Sequence, residues 1–127
     1  MTDRSDLFIV VDDDKMMREY VKIVLGLLID NGKIETFLNA DTALEFIKNI
    51  DIKQEKTLII SDVDMPGMSG IEFLKIIKEE FPKIFFVIMS GNPDNQKTAA
   101  TNNCDIFLKK PFLKKNLEQI FQVFINK

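Results

Sequence analysis

The sequence predicts an α/β domain with a doubly wound parallel sheet, and two observations lead to this fold class. Short runs rich in Val, Ile and Phe, which are typical of buried strands, recur along the 127 residues. Between and after these runs, apolar residues recur every three or four positions, as they do along one face of a helix. Since right-handed crossovers join such alternating elements, five strands form one parallel sheet with helices on both faces.

The first strand–helix pair is the clearest. A strand is predicted over residues 7–11, and a helix from residue 15 to about residue 28. The apolar face of this helix consists of Met17, Val21, Val24 and Leu28. Asp14 stands where a capping side chain is needed, and residues 30–32 predict a turn after the helix.

The second pair is shorter. Residues 34–37 predict a strand, and Asn39 is a plausible cap for the helix that follows. That helix carries Leu44 and Ile47 on its apolar face. A polar stretch over residues 49–56 then leads to the third strand.

The third pair contains the most unusual sequence. A strand is predicted over residues 57–61, and it runs into two acids, a proline and glycines in "SDVDMPGMSG". A helix follows until Pro82 stops it. Its apolar positions are Ile71, Leu74, Ile77 and Phe81.

The last part of the chain predicts two more strands and two helices of unequal strength. Residues 84–89 and 106–109 predict buried strands. The segment between them, residues 90–104, is polar and has few apolar anchors, so its helix is the weakest prediction. The closing helix is well marked, by Leu117, Ile120, Phe121 and Phe124.

Composition limits the chemistry that this chain can perform. It has no histidine, which excludes imidazole bases and histidine-ligated metals, and its one cysteine, Cys104, cannot form an internal disulfide. The net charge of −3 gives no basis for binding nucleic acid. No apolar run approaches the ~18 residues that a membrane helix needs. We therefore expect a cytoplasmic protein, one domain over residues 1–127, without membrane or nucleic-acid contact.

Polar residues come directly after four of the predicted strands. In doubly wound sheets ligands bind beyond the carboxyl ends of the strands, so these residues are expected to converge. They are Asp12, Asp13 and Asp14 after the first strand, Asp62 and Asp64 after the third, Ser90 after the fourth, and Lys109 and Lys110 at the end of the fifth. Alternation along the last strand allows only one of the two lysines to reach the site.

Four of these segments, in this order, resemble the receiver domain of two-component response regulators over nearly the whole chain. They are "IVVDDD", "IISDVDMPGMSG", "VIMSG" and "FLKKPF". The resemblance implies a flavodoxin-like three-layer sandwich with strand order 2-1-3-4-5. It also implies that Asp62 accepts a phosphoryl group from a phosphohistidine, carried by a histidine kinase or a histidine phosphotransfer protein.

The resemblance further implies a Mg²⁺ site, which Mn²⁺ can also fill. Asp13 and Asp62 would ligate the metal directly, Asp12 would assist through water, and the backbone carbonyl of Asp64 would add an oxygen. Such hard oxygen donors are what Mg²⁺ prefers. We take Asp12 and Asp13 as the site pair because they adjoin the strand, which leaves Asp14 as the cap.

The remaining implied roles concern the phosphoryl oxygens and the switch. Ser90 would donate a hydrogen bond, and Lys110, before a proline whose peptide bond is typically cis in this family, would supply a cation. The side chains of Asp64 and Asn92 would flank the water that removes the phosphoryl group. Phe107 matches the aromatic residue that moves when the serine moves, although core packing explains it equally well.

Two departures and two rival functions complete the interpretation. Asn103 and Cys104 replace the Gly-Ala of many receivers and the preceding segment is short, so the fourth helix is expected to be abbreviated or mobile.

"IISDVD" is also similar to the Asp-x-Asp motif of haloacid-dehalogenase-type phosphatases, but those enzymes carry it on their first strand and generally need a longer chain. A pseudo-receiver that only binds is a further alternative, which the complete set of site residues opposes. The downstream effector is unknown.

Overall fold

The computed structural model describes residues 5–51 and 56–127. Five strands alternate with five helices along this part of the chain. The strands are β1 (Asp6–Val11), β2 (Gly32–Phe37), β3 (Lys56–Asp62), β4 (Phe85–Ser90) and β5 (Ile106–Lys109). The helices are α1 (Lys15–Leu28), α2 (Ala40–Lys48), α3 (Gly70–Glu80), α4 (Asp94–Thr101) and α5 (Lys114–Ile125).

All neighbouring strands pair in parallel, in the order β2-β1-β3-β4-β5. This confirms the doubly wound sheet and the strand order that the resemblance implied. The direction in which successive strands are added reverses after β2. From β1 the chain runs outward to β2 at one edge, and from β2 it crosses back past β1 to β3. At this reversal the loops diverge and leave a crevice beyond the carboxyl ends of β1 and β3.

The core has two layers, one on each face of the sheet. On β1, Leu7 and Ile9 belong to one layer, whereas Phe8 and Val10 belong to the other. Because both faces are covered, the strand needs apolar residues at every position, which explains its continuous apolar run. The layer with Phe8 lies between the sheet and the helices α1 and α5, and the layer with Leu7 includes residues of α2 and α3.

Several predicted boundaries shift by one or two residues. Gly32, predicted to lie in a turn, is the first residue of β2 and pairs with Asp6. A Cβ at Gly32 would lie 2.7 Å from the Asp6 carbonyl oxygen, so the close approach of the two strands requires glycine. Phe81 is the C-cap of α3 rather than its last residue, and β4 extends to Ser90. The polar stretch predicted over residues 49–56 lies partly outside the described residues.

The predicted caps of α1 and α2 are confirmed. The Asp14 carboxylate accepts the N–H of Met16, and the Asn39 side chain accepts the N–H of Thr42. Helix α4, which has eight residues, is the shortest of the five helices in the described ranges, in keeping with its weak sequence signal. Its N-cap, Pro93, makes no side-chain hydrogen bond, although Asn92 Oδ1 accepts the Asp94 N–H at 3.0 Å. Asn103, which replaces the common glycine after α4, has φ of 66°, a left-handed conformation that asparagine tolerates better than most residues.

No helix in the described ranges is long and apolar enough to cross a membrane.

Candidate functional site

Three carboxylates meet in the crevice beyond β1 and β3. Asp12 follows β1 and is 0% exposed, and Asp62 is the last residue of β3 and 8% exposed. Asp13 is exposed at the mouth of the crevice. One carboxylate oxygen from each of the three lies within 4.8 Å of the others. The parallel register, in which Val11 pairs with Ser61, brings Asp12 and Asp62 to the same level of the sheet.

A single lysine, the residue directly after β5, enters this cluster. The Lys110 Nζ lies 3.3 Å from Oδ2 of Asp12 and 3.2 Å from Oδ1 of Asp62. Lys109 is exposed, so it is Lys110 that reaches the carboxylates. The Lys110–Pro111 peptide bond is cis, and the Lys110 N–H donates to the Ser90 carbonyl oxygen at 2.9 Å. The backbone of β4 therefore holds Lys110 in place.

The protonation equilibria of these groups are shifted by burial and by one another. Burial raises the pKa of Asp12, and the Lys110 ammonium only partly opposes this. Burial and the neighbouring Asp12 charge raise the pKa of Asp62, again against the effect of Lys110. Burial alone would lower the pKa of Lys110, but the Asp12 and Asp62 carboxylates reverse this and raise it. The cluster holds more negative charge than one lysine neutralises.

Asp12 is oriented by the start of α1. Its Oδ1 accepts the N–H of Asp14 at 2.9 Å, which leaves Oδ2 turned toward Lys110. Arg18 Nη1 donates to the Asp12 backbone oxygen at 2.9 Å. Sequence reasoning missed Arg18; the signal that could have found it is its position, one helical turn after the Asp14 cap.

The loop after Asp62 approaches the strand so closely that it requires glycine. A Cβ at Gly70 would lie 2.0 Å from the Asp62 carbonyl oxygen, and the Gly70 N–H donates to the Val63 oxygen at 2.9 Å. Gly67 has φ of 82°, which also favours glycine. These residues shape the loop, as predicted, and Ser69 with Glu72 closes a capping box at the start of α3.

Ser90 lies at the end of β4, but its hydroxyl is held by the segment that follows. The side chain is 2% exposed, and its Oγ accepts the Asn92 N–H at 3.0 Å and the Asn95 Nδ2 at 2.9 Å. Among the described residues, the hydroxyl makes no hydrogen bond with the three carboxylates or Lys110. Sequence reasoning missed Asn95, and its distance of five residues from Ser90 gave no motif to notice.

The other predicted site residues lie outside the cluster. The side chains of Asp64 and Asn92 are exposed. Phe107 is half-buried on β5, packed against the core layer that contains Leu7. The structure thus brings together Asp12, Asp13, Asp62 and Lys110, with Ser90 one strand away.

The donor set fits a hard divalent cation. Three carboxylates whose oxygens approach one another this closely repel unless a cation or protons intervene, and the raised pKa values of Asp12 and Asp62 express that repulsion together with burial. Oxygen ligands without sulfur or imidazole suit Mg²⁺ or Mn²⁺. This acidic cluster could therefore bind such a metal.

Comparison with known proteins agrees with this geometry. The family model described as the response regulator receiver domain matches residues 8–122. The hydrogenase transcriptional regulatory protein HoxA of Cupriavidus necator is 28% identical over 120 residues, which are 92% of this chain and 23% of HoxA. Response regulator Rre1 of Synechocystis is 31% identical over 119 residues, 88% of this chain and 48% of Rre1. The chain thus spans about a quarter and about half of these two relatives.

The fold also matches a solved structure of the same class. The chemotaxis response regulator CheY4 of Vibrio cholerae superposes with a TM-score of 0.80 over 94% of this chain and 98% of CheY4, at 23% identity. At that identity the likeness supports the fold alone. The family model covers nearly all of the chain, and on that basis the chain belongs to the response regulator receiver domain family.

Proposed function

We propose that this receiver domain accepts a phosphoryl group on Asp62 and thereby switches an output surface. The observation that carries the proposal is the position of the Asp62 carboxylate, 3.2 Å from the Lys110 Nζ and beside the Asp12 and Asp13 carboxylates. We further propose that the donor is a phosphohistidine of a histidine kinase or a histidine phosphotransfer protein. The 127 residues would act as a single domain.

In the transfer, an oxygen of the Asp62 carboxylate attacks phosphorus, and the bond from phosphorus to the histidine nitrogen breaks. The electron pair of that bond stays on the imidazole, and the phosphoryl group becomes an acyl phosphate. A Mg²⁺ or Mn²⁺ ion, held by Asp13, Asp62 and the Asp64 backbone carbonyl with help from Asp12, would neutralise the charge of the phosphoryl oxygens. The protein's part is to position the nucleophile and to stabilise charge.

Lys110 and Ser90 supply the remaining contacts to the phosphoryl oxygens. The Lys110 ammonium already lies between Asp12 and Asp62, so it needs little movement to bind an oxygen attached to Asp62. Ser90 must turn its hydroxyl toward the crevice, because the hydroxyl now bonds to Asn92 and Asn95. This movement of Ser90 would initiate the switch.

Movement of Ser90 would change the packing of Phe107 on β5. Phe107 is half-buried and borders a shallow groove of about 240 Å³ between β5 and α5, which Ile106, Ile120 and Val123 also line. A change in Phe107 packing would alter this groove. We propose the surface formed by α4, β5 and α5 as the output surface, for an effector whose identity is open.

An exposed apolar stripe on α1 supports a protein as the donor. Met16, Tyr20, Ile23 and Leu27 are exposed and follow one another by four, three and four positions, so they share one helix face. The stripe begins two residues after Asp14, at the mouth of the crevice. Contiguous exposed apolar surface is typical of protein-binding sites, and a phosphohistidine must be presented at this mouth.

A phosphatase of the haloacid-dehalogenase type is less well supported. That mechanism needs the carboxylate two residues after the nucleophile as a general acid and base, but the Asp64 side chain is exposed and, within the described part of the chain, makes no hydrogen bond with Asp62. The other buried carboxylate of the cluster is Asp12, directly after the earlier strand β1. We therefore propose an acceptor that is phosphorylated once and then loses the group, not a turnover enzyme. Its expected cytoplasmic location stays a prediction.

The test is the intact mass after incubation with Mg²⁺ and acetyl phosphate. The protein should gain one phosphoryl group, which should be stable in acid and labile in base, as an acyl phosphate is. Asp62→Asn should abolish the gain, whereas Asp30→Asn, an exposed acid at the opposite end of the sheet, should retain it. Undiminished phosphorylation of the Asp62→Asn variant would refute the assignment.

A further inference from the structure

We propose that Asn95 is a positioning residue that holds the Ser90 hydroxyl on the first turn of α4, so that α4 and a phosphoryl group on Asp62 compete for one hydroxyl. This inference rests on the proposed function for its second half. Its first half, the tie between Ser90 and α4 in the resting protein, stands on the geometry alone.

The hydrogen bonds of Ser90 are the first step. Its Oγ accepts from the Asn92 N–H at 3.0 Å and from the Asn95 Nδ2 at 2.9 Å. A hydroxyl has two acceptor positions and one donor, so both acceptor positions are in use. The hydroxyl donates to the Asn92 carbonyl oxygen, and the distance between the two oxygens is 3.4 Å, which is long for such a hydrogen bond. The oxygen is therefore well held, and its proton is held only weakly.

Rotation of Ser90 is the second step. To bond a group in the crevice, the side chain must move to another staggered rotamer, and this shifts its oxygen by roughly 2 Å. A shift of that size breaks the 2.9 Å bond with Asn95. When the Ser90 hydroxyl bonds to a phosphoryl oxygen, the hydrogen bond between Ser90 and Asn95 of α4 is therefore lost.

The weak anchoring of α4 is the third step. Of its eight residues, all of which are described, Ala99 is the buried one. Its N-cap, Pro93, supplies no side-chain hydrogen bond. The Asn92 Oδ1 accepts the Asp94 N–H at 3.0 Å, and the Asn95 amide adds a second side-chain link between the first turn of α4 and the end of β4. Because few buried side chains hold this helix, loss of the Asn95 link should destabilise it.

The resting protein allows a test that needs neither metal nor phosphate. Amide hydrogen exchange of residues 94–101 should speed up by roughly two- to tenfold in Asn95→Ala, as expected for one lost hydrogen bond. Ser90→Ala should have a similar effect, and the double variant should add little to either single one. Gln96→Ala, an exposed amide on the same turn, is the matched control and should leave exchange unchanged. Additive effects in the double variant, or no effect of Asn95→Ala, would overturn the tie.

The competition itself is tested with beryllofluoride, an analogue of the phosphoryl group, in the presence of Mg²⁺. Asn95→Ala should bind it roughly two- to tenfold more tightly than the parent, since the hydroxyl is released in advance. The gain should vanish in the Ser90→Ala background, because a merely looser helix would not need the hydroxyl. Equal affinity of parent and Asn95→Ala, or the same gain without Ser90, would overturn the competition. If the parent does not bind beryllofluoride, the proposed function fails and the competition with it, whereas the exchange experiment still decides whether Asn95 holds Ser90.

Discussion

Two strand–helix units of this domain each deliver a site residue, yet they differ in how firmly they are built. In the unit β1–α1, Asp12 directly follows the strand, Asp14 caps the helix, and Val21, Val24 and Leu25 of the 14-residue helix are buried. The unit β4–α4 ends its strand with Ser90, has a proline at the N-cap that makes no side-chain hydrogen bond, and buries Ala99 of an eight-residue helix. The β1–α1 unit contributes to the acidic cluster, and the less well anchored β4–α4 unit holds the Ser90 hydroxyl, which the proposed switch requires to move.

This difference follows from what each residue has to do. Carboxylates that hold a cation must keep their positions against mutual repulsion, and a well-packed helix resists that repulsion. A hydroxyl that changes partners needs an element with low local stability, because the cost of moving it must be small. The acidic cluster at the ends of β1 and β3, with α1, is therefore the fixed part of the site, and the β4–α4 unit with Ser90 is its movable part.

The largest expected effect tests the fixed part at two neighbouring acids. Asp13→Ala should reduce the rate of phosphorylation by acetyl phosphate by about 100-fold or more, because a direct ligand of the cation is lost. Asp14→Ala should keep the rate and lose about 1 kcal/mol of unfolding free energy, because only the cap of α1 is lost. Titration of Mg²⁺ against the phosphorylation rate, with urea unfolding of both variants, separates the two roles. Equal Mg²⁺ dependence of Asp13→Ala and the parent would show that Asp13 is no ligand.

The next effect compares the packing of the two helices. Leu25→Ala, in the buried face of α1, should lower the unfolding free energy by about 2–5 kcal/mol. Ala99→Gly, in the one buried position of α4, should lower it by about 1 kcal/mol, mainly through helix propensity. Urea unfolding of the metal-free variants measures both values. A larger loss for Ala99→Gly than for Leu25→Ala would show that α4 is the firmer helix and would reverse the comparison.

In the absence of metal, the acidic cluster should lower the unfolding free energy of the protein at neutral pH. Burial raises the pKa of Asp62 in the folded protein above its value of 3.8 in the unfolded chain, so the folded state binds its proton more tightly. The stability that this proton provides is present at low pH and is lost as the pH rises through the folded pKa. At neutral pH, Asp62→Asn should therefore be more stable than the parent in a chelator.

Urea unfolding across pH, with Asp30→Asn as the control, tests this linkage. The advantage of Asp62→Asn should shrink as the pH falls toward the ordinary pKa of an aspartate, because the parent then carries a neutral Asp62 as well. A less stable Asp62→Asn at neutral pH would mean that attraction to Lys110 outweighs burial.

The sequence predicted the fixed part much better than the movable part. The parallel sheet and the convergence of the residues after its strands followed from continuous apolar runs and from a topology with few alternatives. The strand order, and the choice of Lys110 rather than Lys109, came from the resemblance to receiver domains. The start of β2 was missed because Gly32 reads as a turn residue, and its role depends on the distance to a neighbouring strand. Asn95 was missed because its spacing from Ser90 forms no motif, and Arg18 was missed although its position one turn after the Asp14 cap was visible in the sequence. Contacts of that kind depend on where loops meet, which local patterns do not specify.

The smallest expected effect concerns the lifetime of the phosphoryl group, and it involves one exposed residue from each part. Asp64 follows β3 in the fixed part, and Asn92 follows Ser90 in the movable part, where its Oδ1 accepts the Asp94 N–H at 3.0 Å. Both side chains are exposed, and among the described residues neither makes a hydrogen bond with the three carboxylates, so Asp64→Ala and Asn92→Ala should both leave Asp62 open to phosphorylation. Each should change the rate at which the phosphorylated protein loses its phosphoryl group by roughly two- to tenfold. This factor corresponds to the free energy of one hydrogen bond to the attacking water. Slower decay in Asp64→Ala would show that its carboxylate orients the water, and faster decay would show that it repels it.

Only Asn92→Ala should also speed amide exchange over residues 94–101, because it removes the acceptor at the start of α4. Unchanged decay in both variants, or altered exchange of α4 in Asp64→Ala, would contradict the division between a fixed and a movable part.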